Sequence, residues 1–117
     1  MSKVCIIIPC FNVKSKILKV LRQIDTKLID KILIVDDKCP QHTGEYVKKK
    51  FKKKIKIIFK KENSGVGGAT ITGFNYAIKN NYDIAVKIDG DGQHNPKDLK
   101  KFIKCLKNKE VNFVKGT

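Results

Sequence analysis

Short, almost wholly apolar runs, each stopped by proline or aspartate, limit what this chain can fold into more than any other feature. Val4-Cys5-Ile6-Ile7-Ile8 ends at Pro9, Ile32-Leu33-Ile34-Val35 runs into Asp36 and Asp37, and Ile84-Ala85-Val86-Lys87-Ile88 closes on Asp89. A strand with one wet face alternates apolar and polar residues, whereas a run apolar at nearly every position is buried on both faces. Helical spacing fills the intervals. Ile17, Val20, Leu21, Ile24 and Leu28 predict a helix over 15–28, and Thr43 can cap a short helix through Phe51. Residues 55–59 predict a third strand, and 61–65 a loop. A helix over 67–80 would carry Ala69, Gly73, Phe74, Ala77 and Ile78 on one face. Asn95 as N-cap with Pro96 in the first helical position predicts a helix to Lys107, and 111–114 a fifth strand. Strands alternating with helices give an α/β fold, a Rossmann-like parallel sheet with helices on both faces and right-handed crossovers.

The length of 117 residues suits one domain. The run at 4–8 falls far short of the ~20 apolar residues of a bilayer crossing, and the three residues before it lack signal-peptide organisation, so a cytoplasmic chain is expected. Four cysteines, Cys5, Cys10, Cys39 and Cys105, form no CxxC pair and no zinc spacing with histidine, and read as reduced thiols. Cys5 and Cys105 fall on apolar faces and are expected in the core. The net charge of +15 invites a nucleic-acid reading. Yet 25 of the 26 basic residues are Lys, with Arg22 the exception, and base-edge recognition favours Arg. Compositional drift explains the charge better, with an anionic membrane surface as the leading functional alternative. The run from Lys48 to Lys54 reads as a solvated helix end.

In an open parallel sheet, ligands bind beyond the carboxyl ends of the strands, where strand order reverses. Residues 9–12, the pair Asp36-Asp37 and the triplet Asp89-Gly90-Asp91 stand at such ends. Four carboxylates there, in a chain with 11 acidic residues, are hard to explain as solvation. Two aspartates around a glycine suit a hard divalent cation with oxygen ligands, Mg2+ or Mn2+. Taken alone, a solvated Asp-Gly turn explains them as well. Gly65, Gly67 and Gly68 form neither a Walker loop nor a dinucleotide fingerprint, since Thr70 occupies the third glycine position. Tight turning and close helix-to-sheet packing are favoured there over a phosphate site at a helix N-terminus.

The segment K-I-D-G-D-G-Q-H-N-P from Lys87 resembles the D-x-D-G-Q-H-x-P block of the family-two glycosyltransferases, and within them the dolichyl- and polyprenyl-phosphate mannose and glucose synthases. I-I-I-P-C-F-N is similar to that family's V-I-P-x-Y-N-E, I-L-I-V-D-D to its V-V-D-D-G-S, and N-S-G-V-G-G-A, with Gly73 and Ala77 beyond, to its N-x-G-x-G-x-A followed by Gly and Ala. The four blocks occur in order across nearly the whole chain.

The resemblance implies the N-terminal, donor-binding part of a glycosyltransferase A-type nucleotide-diphospho-sugar transferase over residues 1–117. It implies that Pro9, Phe11 and Asp37 line the base and ribose, with Val35 and Asp36 alongside. Asp89 and Gly90 would contact the sugar nucleotide, and Asp89, Asp91 and Gln93 would hold Mg2+ or Mn2+ at the diphosphate. The activity implied is inverting transfer from a UDP- or GDP-sugar to a dolichyl or polyprenyl phosphate, at the cytoplasmic face of a membrane. Val13 replaces the family's acidic residue and removes one expected nucleotide contact. Lys38-Cys39-Pro40 replaces its Gly-Ser turn. His94 is expected in a hydrogen-bonding or packing role, and His42 in a surface loop.

Relatives draw the acceptor site from sequence beyond Val-Lys-Gly-Thr, so the general base stays unassigned, and the 117 residues by themselves are expected to bind donor but transfer poorly. Two other readings compete. One is a basic α/β nucleic-acid-binding module. The other is a sugar nucleotidylyltransferase, which would need a glycine-rich first loop where this chain has Pro9-Cys10-Phe11-Asn12.

Overall fold

The computed structural model of the chain describes residues 3–38, 40–90 and 96–109. Four strands, β1 (Val4–Cys10), β2 (Lys31–Asp36), β3 (Ile55–Phe59) and β4 (Ile84–Lys87), alternate with four helices, α1 (Lys14–Gln23), α2 (Thr43–Lys50), α3 (Gly65–Lys79) and α4 (Pro96–Lys109). Every pairing is parallel, and the strand order is β3-β2-β1-β4. Ile6 lies level with Ile32 on one side and Val86 on the other. The chain therefore builds outward from β1 to β3, then returns to the far side of β1 for β4.

The two faces of the sheet are covered differently. Ile6, Ile8, Ile32, Ile34 and Val86 project towards Ile17, Val20 and Leu21 of α1, Val47 of α2, and Leu99, Ile103 and Leu106 of α4. Cys5, Ile7, Leu33, Val35 and Ala85 project the other way, beneath Ala69 and Ala77 of α3. Alternation along each strand divides the side chains in this manner. Small residues let α3 lie close: a Cβ on Gly73 would fall 2.4 Å from Ile7 Cγ2, well inside van der Waals contact. Burial pushes the Cys5 thiol up to about 12, so it stays a neutral, inert core group.

Several expectations change. The first helix stops at Gln23, and Ile24 is extended although its side chain is buried. Asp25 opens a separate 3-10 turn over Thr26–Leu28 by accepting the Lys27 N–H at 3.0 Å, a local bond that competes with helix continuation. The same bond holds the Asp25 carboxyl below its ordinary pKa, with Lys100 adding to the effect. Thr43 does not cap α2; it is the first helical residue and is buried, while His42 occupies the cap position in a left-handed conformation with no side-chain bond to the helix amides. Cys105 is exposed on α4, because the buried stripe of Leu99, Ile103 and Leu106 lies on the opposite side of the helix.

In α3, Phe74 is half-buried and Ile78 exposed, and the helix begins two residues earlier than the spacing predicts. The glycine cluster is not where helix and sheet close up. Cβ positions on Gly65 and Gly67 would meet open space, one on Gly68 would meet the Ser64 side chain, and the close approach belongs to Gly73. Gly65, with φ of +76°, makes the tight turn. Asn95 and the fifth strand at 111–114 lie outside the described residues. No described helix is long and apolar enough to cross a membrane.

Candidate functional site

Strand order reverses between β1 and β4, and the carboxyl ends of these strands diverge into a crevice of the kind that takes ligands in open α/β sheets. A cleft of about 200 Å³ lies there, lined by Pro9, Cys10, Phe11, Val13, Asp37, Val66, Ala69, Asp89 and Gly90. Its contributors come from three strand ends and from the first turn of α3. Phe11 and Val66 are large apolar side chains left 39% and 59% exposed, which water alone does not favour. They supply flat, greasy wall; Asp37 and Asp89 supply negative charge.

Asp36 and Asp37 are neighbours in sequence and separate in space. Asp36 is the last residue of β2, and its Oδ2 accepts the Gly44 N–H at 2.8 Å, so this carboxylate serves one of the unpaired amides at the start of α2. A Cβ on Gly44 would fall 2.7 Å from that same oxygen. A glycine is therefore required for the contact. Asp37 points to the cleft. Its backbone N–H donates to Cys10 O at 3.1 Å, tying the ends of β2 and β1 together, and its Oδ1 accepts the Ser64 N–H at 2.9 Å and the Ser64 hydroxyl at 3.0 Å. Ser64 is the residue on which α3 begins, and Lys60 Nζ donates to its hydroxyl. One aspartate thus holds the entrance of α3 against the cleft.

Across the crevice, Lys87 Nζ lies 2.8 Å from Asp89 Oδ1. The lysine is the last residue of β4 and only 9% exposed, while the Asp89 side chain is 42% exposed at the mouth. Residues two apart on an extended chain project to the same side, which is how the pair meets. Gly90 packs beneath Val13, whose Cγ2 would be 3.1 Å from a Cβ there. Val13 also occupies the N-cap position of α1, its carbonyl accepting the Lys16 and Ile17 N–H groups.

Of the residues singled out from the sequence, Pro9, Phe11, Asp37, Asp89 and Gly90 come together on this cleft. Val35 is fully buried under α3, and Asp36 is turned to α2. Asp91 and Gln93, the other expected cation ligands, lie outside the described residues, as does His94. Among the described residues no three His, Cys, Asp or Glu side chains cluster as a metal site. The donors that are described fit a hard cation in kind, since Asp89 presents carboxylate oxygen at the mouth of the cleft. His42 is exposed beside α2, 3.7 Å from Glu45.

The sequence placed residues 9–12 and position 13 at a ligand-bearing strand end but assigned none of Cys10, Val13, Val66, Ala69 and Lys87 to the site. Cys10, Val13, Val66 and Ala69 are apolar and carry no chemical signature. Val66 and Ala69 stand one helical turn apart, a spacing visible only once α3 is begun at Gly65. Lys87 carried a signal, as the one charge in an otherwise apolar strand.

Residues 5–117 match the family described as glycosyl transferase family 2. The chain is 34% identical to the UDP-N-acetylglucosamine–dolichyl-phosphate N-acetylglucosaminyltransferase of Methanococcus voltae, over 96% of its own length and 50% of that protein. It is 29% identical to the undecaprenyl-phosphate mannosyltransferase of Micrococcus luteus, over 93% of its length and 46% of that protein. With the dolichol-phosphate mannosyltransferase of Pyrococcus furiosus the identity is 33%, over 91% and 30%. The chain thus spans about half the length of the first two relatives. Its fold is similar to the crystal structure of S. aureus TarS 1-349, with a TM-score of 0.67 at 24% identity, covering 91% of this chain and 32% of that one.

Proposed function

The chain belongs to glycosyl transferase family 2, and on that premise we propose that its cleft binds the donor, a UDP- or GDP-sugar, for transfer to a dolichyl or polyprenyl phosphate at the cytoplasmic face of a membrane. The observation that carries the reading is the meeting of Asp37, from the end of β2, with Asp89, from the end of β4, in one crevice walled by Pro9, Phe11 and Val66. Acidic side chains beside an apolar wall suit a ribose and base: carboxylates accept from sugar hydroxyls, and the phenyl ring offers a stacking surface. The relatives named above act on dolichyl or undecaprenyl phosphates, which supports a lipid-phosphate acceptor here.

Asp89, with Asp91 and Gln93, is proposed to hold Mg2+ or Mn2+ at the donor diphosphate. The cation would supply stabilisation of the charge that accumulates on the departing nucleoside diphosphate. The chain's own residues bind and orient. Asp37 keeps the start of α3 in place through Ser64, and Val66 on that first turn closes one side of the cleft. Lys87 neutralises Asp89 in part, which lowers the cost of bringing an anionic diphosphate beside a carboxylate.

Calorimetry with UDP-glucose and GDP-mannose, with and without Mn2+, tests the reading. One nucleotide sugar is expected to bind with a cation requirement, and Phe11→Ala to weaken it about tenfold, a loss of about 1.4 kcal/mol for one stacking contact. Binding of neither donor, or equal binding by the Asp89→Asn variant with no cation requirement, would sink it.

A further inference from the structure

Nine of the fourteen residues from 48 to 61 are Lys, and none is acidic. They run from the last turn of α2 through the following loop and along β3, an edge strand. Ordinary structural roles account for some of them. Lys50 and its neighbours offset the negative end of α2, and Lys56 blunts the edge strand against pairing with another chain. Lys54 is used inside the fold, its Nζ donating to Thr26 O at 2.6 Å and Ile29 O at 2.7 Å.

Charge at the helix end accounts for Lys48 and Lys49 singly, but not for their meeting Lys52 and an exposed phenyl ring in one depression. Together with Glu45 and Phe59 they line an open depression of about 530 Å³, and Phe59 is 48% exposed within it. An exposed aromatic ring among cations is poorly matched to water. It is well matched to the headgroup boundary of an anionic bilayer, where the ring enters the apolar margin and ammonium groups on four-carbon stems reach lipid phosphates. Phe59 ends β3, whereas Lys48 and Lys49 stand on the last turn of α2 and Lys52 in the loop that leads into β3, so the depression runs along the α2–β3 edge of the sheet.

We infer that the α2–β3 edge, centred on Phe59 with Lys48, Lys49 and Lys52, docks this protein on an anionic membrane surface. The inference rests on the lipid-phosphate reading for its choice of a bilayer over another polyanion, and goes beyond it in assigning the face. The shortage of Arg, which base-edge contacts favour, points away from a nucleic acid as the polyanion.

Co-sedimentation of the full chain with vesicles tests it, using phosphatidylcholine alone and phosphatidylcholine mixed in equal parts with phosphatidylglycerol. Binding is expected only to the anionic vesicles and should weaken as salt is raised. Lys48→Gln/Lys49→Gln/Lys52→Gln should lower the partition coefficient about 100-fold, at about fivefold per lysine. Phe59→Ser should lower it further, with circular dichroism reporting the fold. Lys16→Gln/Lys19→Gln/Lys104→Gln removes the same charge from exposed positions on α1 and α4 and should change it less than about threefold if the patch, rather than net charge, binds.

Equal loss in this second triple variant overturns the inference. So does failure of the parent to bind anionic vesicles, or patch-dependent binding to duplex DNA tighter than to vesicles at the same salt. Donor calorimetry on the same variants keeps the two proposals apart. Intact donor binding without vesicle binding fails the docking face alone, and the reverse fails the donor reading alone.

Discussion

The two faces of one sheet are built to different ends. On one face, large aliphatic side chains from all four described strands, with Ile55 and Ile57 of β3 partly buried, pack against three helices, and Asp36 is turned to α2. On the other, a single helix with Ala69, Gly73 and Ala77 lies close against β1 and β2, and the strand ends beyond it open into the cleft. The first face carries stability through volume. The second trades side-chain volume for proximity, and so brings the first turn of α3 within reach of the strand ends. Asp36 and Asp37 condense the contrast into adjacent residues, one capping a helix and the other facing the cleft.

The largest expected effect tests the close approach of α3. Gly73→Val drives methyl groups into Ile7, and overpacking of this kind costs about 1–3 kcal/mol, measured as a lowered midpoint in urea. An unchanged midpoint would mean that Gly73 does not lie against Ile7. Next comes the pair of aspartates. Asp36→Ala leaves the Gly44 N–H without its carboxylate and should cost about 1–2 kcal/mol in urea while donor affinity stays within about twofold. Asp37→Ala should instead weaken donor binding about tenfold or more. If the two variants exchange these effects, the division of labour is wrong. The smallest effect concerns the thiols. Cys105 should react with iodoacetamide at neutral pH before Cys5 or Cys10, which are buried, and mass spectrometry after brief labelling reads the order.

Much of the layered fold was legible because its signals are local. Apolar runs that leave no alternation can only be doubly buried strands, and all four described strands lie where such runs, or the weaker one at 55–59, place them. Errors arose where a local polar group overrode periodicity, as Asp25 does at the end of α1, or where a distant residue did a neighbour's work, as Asp36 does in capping α2 in place of Thr43. Cys105 misled because its apolar surroundings in sequence lie on the other side of α4. The exposed Phe59 among lysines gave no warning either, since a strand and a helix end must meet before the depression exists.

The sequence by itself determined the strands, their parallel α/β arrangement and the gathering of acids at strand ends, because burial on both faces and the turn after a strand are written in consecutive residues. Even the separation of Asp36 from Asp37 follows from the period of a strand. Which of the two would meet the cleft was decided only by tertiary structure. Strand order puts β4 beside β1, α3 is the one described helix on its face, and only then does one of two opposed directions acquire a cleft to point into.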